Sequence, residues 1–291
     1  MKENLIEKLF FALMRIGLWC LAYLFITGIL QIIPFIFFKI SLNDFLNGVI
    51  PIEANLTIAG LVLIGTFAYY LILRPTYFAE LKSIFKSKIG ILQGFLLGFI
   101  LILIIFLLIL AFHQIQVLIS DQFTLLYFSQ SILLFLFVSL SEEIFMRGII
   151  LRYLLLIENA EQPAILISAI VFTLFHVLNP SVTSIGLLNI FLAGILLAQL
   201  FIYSNYNIWV SIGLHWAWNF FQSSIFGFPV SGIKVQSLFH QKLNDQNIIN
   251  GGNFGLEGSV ITVFIMILII VALFLWKWNV QKKLQMQISF K

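Results

Sequence analysis

The chain has 291 residues, of which 61% are hydrophobic and only 10% charged, with a mean hydropathy of +1.08. A soluble domain averages roughly 25% charged residues, so the composition excludes an ordinary water-soluble globule and points to an all-α, polytopic membrane protein. The net charge of +4 reads as a topology signal, with no nucleic-acid partner implied, and the single Cys20 rules out an internal disulfide or a thiolate metal cluster.

A transmembrane helix needs about 20 apolar residues. On that criterion the candidate spans fall near 16–38, 56–73, 89–112, 123–145, 163–179, 185–203, 208–228 and 259–277, a bundle of about eight helices in one domain over 1–291. The first run follows Lys2, Lys8 and Arg15, like the basic flank of a signal peptide. It outlasts the roughly 7 to 15 residues of a signal core and meets no small-residue cleavage site, so it reads as a retained helix. Pro51, Pro75, Pro163 and Pro180 sit near helix ends, where a missing amide donor is tolerated, while Pro34 falls inside the first span. The one long polar connection, 229–257, contains Gly251-Gly-Asn-Phe-Gly255 and reads as a turn-rich surface loop.

Lysine and arginine bias sets the orientation. Lys2, Lys8 and Arg15 precede the first span, Arg74, Lys82, Lys86 and Lys88 fill the second connection, and Lys277, Lys282, Lys283 and Lys291 follow the last. The alternate connections carry only Lys39, Lys234 and Lys242. Both termini are therefore expected in the cytoplasm, with 229–257 as an outer loop.

Six polar residues break this hydrocarbon pattern: Glu142, Glu143 and Arg147 in the fourth span, His176 in the fifth, and His215 with Asn219 in the seventh. Ionisable groups inside a membrane are expensive and mark function by default. The fourth and fifth spans form a hairpin about residue 160, which places Glu142, Glu143 and His176 within about 2 to 3 Å of one another in depth. His215 comes out shallower. Glu143 and Arg147, four residues apart on a helix, are neighbours, and their ordinary reading is an ion pair. Glu142, turned about 100° away, has no evident partner of opposite charge. A carboxylate and a neutral histidine suit activation of a water for attack on an amide, and a second histidine with an asparagine amide suits the oxyanion. Glu142, His176 and His215 equally supply the two-histidine, one-carboxylate set of catalytic zinc. His113 and His240 lie at or beyond span ends and read as solvent-facing.

Glu142-Glu-Ile-Phe-Met-Arg147, Phe172-Thr-Leu-Phe-His176 and His215-Trp-Ala-Trp-Asn219 resemble the three motifs of the CAAX protease and bacteriocin-processing (CPBP, or Abi) family of intramembrane proteases. The resemblance is close over 89–228, the expected catalytic core, and 227–232 and 251–258 are similar to loops of bacterial members. It implies a peptidase acting on peptide or protein tails in the membrane, with Glu142 as general base, His176 holding the water, His215 and Asn219 at the oxyanion, and Glu143 with Arg147 in support. It leaves zinc doubtful and no other cofactor implied. Relatives tied to bacteriocin immunity extend the alternatives to a non-catalytic immunity protein; a transporter is the other. The expected setting is a bacterial plasma membrane, with the cavity opening toward the cytoplasm.

Overall fold

A bilayer offers backbone amides no water to bond, so apolar runs that cross it must satisfy their hydrogen bonds internally, as helices do. The computed structural model describes residues 5–41, 43–44, 50–77, 83–121, 123–157 and 161–289. Among them, eight principal helices follow the eight predicted spans: α1 (Leu5–Phe37), α2 (Ile52–Tyr77), α3 (Ile89–Ala111), α4 (Leu125–Glu143), α5 (Glu161–Leu174), α6 (Ser184–Tyr203), α7 (Ile208–Phe220) and α8 (Val260–Ser289). Five of these, α1, α2, α3, α6 and α8, are long and apolar enough to cross a membrane unaided. The protein is a multi-pass, all-α membrane protein.

The fifth span departs from expectation. With 14 residues, α5 reaches about 21 Å against a hydrocarbon core of about 30 Å. It stops at Leu174, and the chain turns before Pro180. The fourth span is longer than expected, because α4 runs on through a π-helical segment, Ile144–Leu151, and a last turn, Arg152–Leu154. Of the predicted hairpin stretch 158–162, residues 158–160 lie outside the described residues and 161–162 open α5.

Small residues fix the central helix pair. A Cβ on Gly94 would meet the Val210 carbonyl oxygen at 2.0 Å, one on Gly98 the Leu214 oxygen at 2.5 Å, and one on Gly213 the Ile91 oxygen at 2.1 Å. With backbone against backbone, α3 and α7 run parallel in register, the close approach that small residues permit between membrane helices. Gly194 of α6 sits likewise against Ala169 of α5, where a Cβ would come within 2.9 Å of the Cα.

The bundle has two unlike ends. At one, Lys86 donates to the Asn205 carbonyl, Arg15 donates to the Tyr153 hydroxyl at 2.7 Å, and Lys277 lies 4.7 Å from the Tyr203 ring. Basic and tyrosine side chains of this kind belong at a membrane–water interface. At the other end, β1 (Ile115–Ile119), between α3 and α4, pairs antiparallel with β2 (Phe239–Leu243), between α7 and α8, in the register Ile115 to Leu243 and Ile119 to Phe239. Residues 229–257 are therefore more than a surface loop: they contain a strand, the buried residues Phe254, Leu256 and Asn250, and backbone of positive φ at Gly251 and Gly255.

Candidate active site

The site forms where α4 changes character. Hydrogen bonding switches to the wider π pattern directly after Glu143, and π segments inside α-helices occur chiefly at functional positions. All eight residues from Ile144 to Leu151 are buried, including Arg147. Its guanidinium donates from Nη1 to Glu143 Oε1 at 2.9 Å and from Nη2 to the Gly194 carbonyl of α6 at 3.2 Å, with Cζ 4.9 Å from the Phe172 ring. Arg147 therefore ties α4, α5 and α6 together.

From α7, His215 turns Nδ1 to the same Glu143 oxygen at 3.0 Å and Nε2 to Glu142 Oε2 at 3.8 Å. The ring lies between the two carboxylates. Glu142 thus has a partner of opposite sign when His215 is protonated, contrary to the sequence-based expectation. The depth mismatch expected for His215 is also absent. The helix carrying the carboxylates ends at Leu154, with Leu155 as its cap, which brings Glu143 to about 18 Å from that cap at α-helical rise. The π segment, bonding i to i+5, advances less per residue and closes more of the gap.

His176 differs from its expected place as well. It lies beyond the end of α5, in a turn in which its backbone amide donates to the Thr173 carbonyl at 2.9 Å and its Nδ1 bonds the Phe172 carbonyl at 2.8 Å. A carbonyl only accepts, so Nδ1 carries a proton, and in the imidazole form of such a ring Nε2 is the acceptor. Phe172, at 4.7 Å from the His176 ring, 6.2 Å from that of His215 and beneath Arg147, is the apolar spacer among three polar groups.

Glu142, His176, His215 and Asn219 all line one cavity of about 440 Å³. Glu143 and Arg147 lie behind its wall, fully buried, whereas the Glu142 side chain is 32% exposed. The cavity also takes in Asn55 at the start of α2, Asn179 after α5, and Val230, Ser231 and Glu257. It therefore occupies the end of the bundle that carries β1 and β2, not the basic end. The cavity thus lies away from the end where lysine and arginine gather, whereas the sequence placed its opening toward that end. His113 and His240 are exposed and take no part.

Residues 123–221 match the family model described as Rce1-like, type II CAAX prenyl endopeptidase. That segment is similar to this family. It contains all six motif residues, and the family it resembles is one of CAAX prenyl endopeptidases. No curated protein and no solved structure matches the chain.

Among the described residues, no three His, Cys, Asp or Glu side chains converge as a metal-ligating group. Glu142, His176 and His215 share a cavity wall, and both histidines keep Nε2 free while Nδ1 is held by Glu143 or a carbonyl, as zinc-ligating histidines are held, but the three side chains do not converge on one point. Zinc does not fit this arrangement, and the chemistry is derived from side chains alone. One cavity residue escaped the sequence reading. Glu257, in a segment taken for a surface loop, is held by Ser231 and Gln222, and burial pushes its carboxyl up to about 7.

Proposed function

We propose that the protein is an endopeptidase that cleaves peptide or protein tails at the membrane, with Glu142 activating the attacking water. The observation that carries this reading is the division between the two adjacent carboxylates. Glu143 is sealed behind the wall, bonded to Arg147 and His215, while the Glu142 side chain lines the cavity and stays 32% exposed, with only its Oε2 turned inward toward His215 Nε2. A carboxylate exposed to the cavity is positioned to accept a water proton.

In this mechanism the water donates one hydrogen to Glu142 and the other to Nε2 of His176. As its oxygen bonds to the scissile carbonyl carbon, the proton passes to Glu142 and the carbonyl oxygen becomes an oxyanion. Asn219 donates to that oxyanion through its amide. His215 does so through Nε2 only as the imidazolium, since Nδ1 already donates to Glu143; the two flanking carboxylates supply the counter-charge. When the C–N bond breaks, Glu142 returns its proton to the leaving amine, leaving an acid and an amine as products. Preorganised donors in a water-poor site are worth more than the same donors in water.

Both termini would be cytoplasmic, on the lysine and arginine distribution, and the membrane would be a plasma membrane, by analogy with bacterial members of the family it resembles. The test uses purified protein in detergent and a library of tail peptides, each with and without a prenyl thioether. Wild type should cleave a subset, and Glu142→Gln should lower turnover by at least about a hundredfold, the contribution expected of a general base. His176→Ala should also lose activity, and a chelator should leave wild type unaffected. Cleavage at equal rates by wild type and both variants would overturn the assignment.

A further inference from the structure

Water activation leaves the second carboxylate of the cavity unused. Glu257 lies between β2 and α8, outside the membrane-crossing helices, and lines the same wall as Glu142, His176 and His215. Its Oε2 accepts from the Ser231 backbone amide at 2.6 Å, from Ser231 Oγ at 3.3 Å and from Gln222 Nε2 at 3.3 Å. Oε1 accepts nothing among the described residues, and no cation pairs with it there. One oxygen is thus fixed by three donors while the other is left for something that enters.

The charge of the cavity says what that is. Its wall carries two carboxylates and no lysine or arginine, and of its two histidines, His176 and His215, the second is already flanked by Glu142 and Glu143, so the wall near Glu257 favours cations over anions. Burial raises the Glu257 carboxyl to about 7, which means the surrounding donors do not fully offset the cost of its charge. A ligand cation would supply the missing compensation, as a charge-assisted hydrogen bond. A metal ion is the poorer occupant, because no cluster of ligating side chains surrounds the position.

We propose that Glu257 is a specificity-determining residue that binds a basic side chain of the substrate, a lysine ammonium or arginine guanidinium near the bond that is cut. This rests on the peptidase reading, and the experiment separates the two. Fluorescent peptides from the cleavage library are made in sets that differ only by Lys, Gln or Glu at each position flanking the cut. At one position, wild type should favour Lys over Gln by about tenfold in kcat/KM, the scale of one charge-assisted hydrogen bond, and disfavour Glu further. Glu257→Gln, which keeps an oxygen for the Ser231 amide, should bring the Lys-to-Gln ratio to about one. Glu257→Asp should retain a ratio above one, and Glu257→Lys should favour Glu.

The same sets are titrated by fluorescence anisotropy against Glu142→Gln, so that the preference is read without turnover. Should wild type cleave nothing while Lys peptides still bind about tenfold tighter than Gln peptides in a Glu257-dependent way, the peptidase reading falls and the cation site stands. Equal binding of Lys and Gln peptides at every position, including no binding at all, overturns the cation site, as does a preference that survives Glu257→Gln.

Discussion

Glu143 serves two partners through one oxygen. Oε1 accepts from Arg147 at 2.9 Å and from His215 at 3.0 Å, so its loss strands a buried guanidinium and releases a ring of the site together. Removing one partner of a buried ion pair costs about 3 to 5 kcal/mol, whereas replacing both by apolar groups is often neutral. Glu143→Gln should therefore lower thermal stability in detergent by an amount of that order. Glu143→Leu combined with Arg147→Met should recover much of the stability while turnover stays low, because His215 Nδ1 still lacks its acceptor. A double variant as unstable as Glu143→Gln would remove the stranded charge as the cause. A double variant that regains turnover together with stability would show that Glu143 supports the fold but does not position His215.

Among the elements, the α3–α7 contact sets where His215 stands. Backbone oxygens of α7 occupy the space that side chains at Gly94 and Gly98 would need, and backbone, unlike the end of a flexible side chain, cannot turn aside. Gly94→Ala should lower the unfolding temperature and the turnover together, since the two helices must separate or slide. Gly28→Ala is the control, because nothing lies within 4 Å of a Cβ there. Equal thermal unfolding curves for the two variants would contradict the proposed role of the contact. The glycine spacing 90, 94, 98 was open to view in the sequence, yet only the structure shows which helix it meets. The same limit explains the rest of the site. Apolar run length revealed the spans, and the cost of burying charge singled out Glu142, Glu143, Arg147, His176, His215 and Asn219, because both are properties of one segment. Depth was not legible, because it depends on where a helix turns and on the π segment that follows Glu143. The early end of α5 moved His176 from a helix face to a turn. Glu257 was hidden because a polar residue in a glycine-rich loop looks solvated until that loop folds over a cavity.

For the whole molecule, the decisive relation is between the cavity and the membrane. The cavity opens among the ends that carry β1, β2 and Glu257, while Arg15, Lys86 and Lys277 gather at the opposite end. Since cytoplasmic connections carry the excess of lysine and arginine, peptides should reach the site from the outer side. Cys20, the only cysteine, makes this directly measurable. In a Cys20→Ser background, Lys242→Cys reports the β2 end and Lys88→Cys the basic end, both at exposed positions. A membrane-impermeant maleimide added to intact cells should label Lys242→Cys and spare Lys88→Cys, and inverted vesicles should give the opposite pattern. Labelling of Lys88→Cys alone from outside would invert the bundle. The cavity would then face the cytoplasm, and its substrates would be cytoplasmic tails.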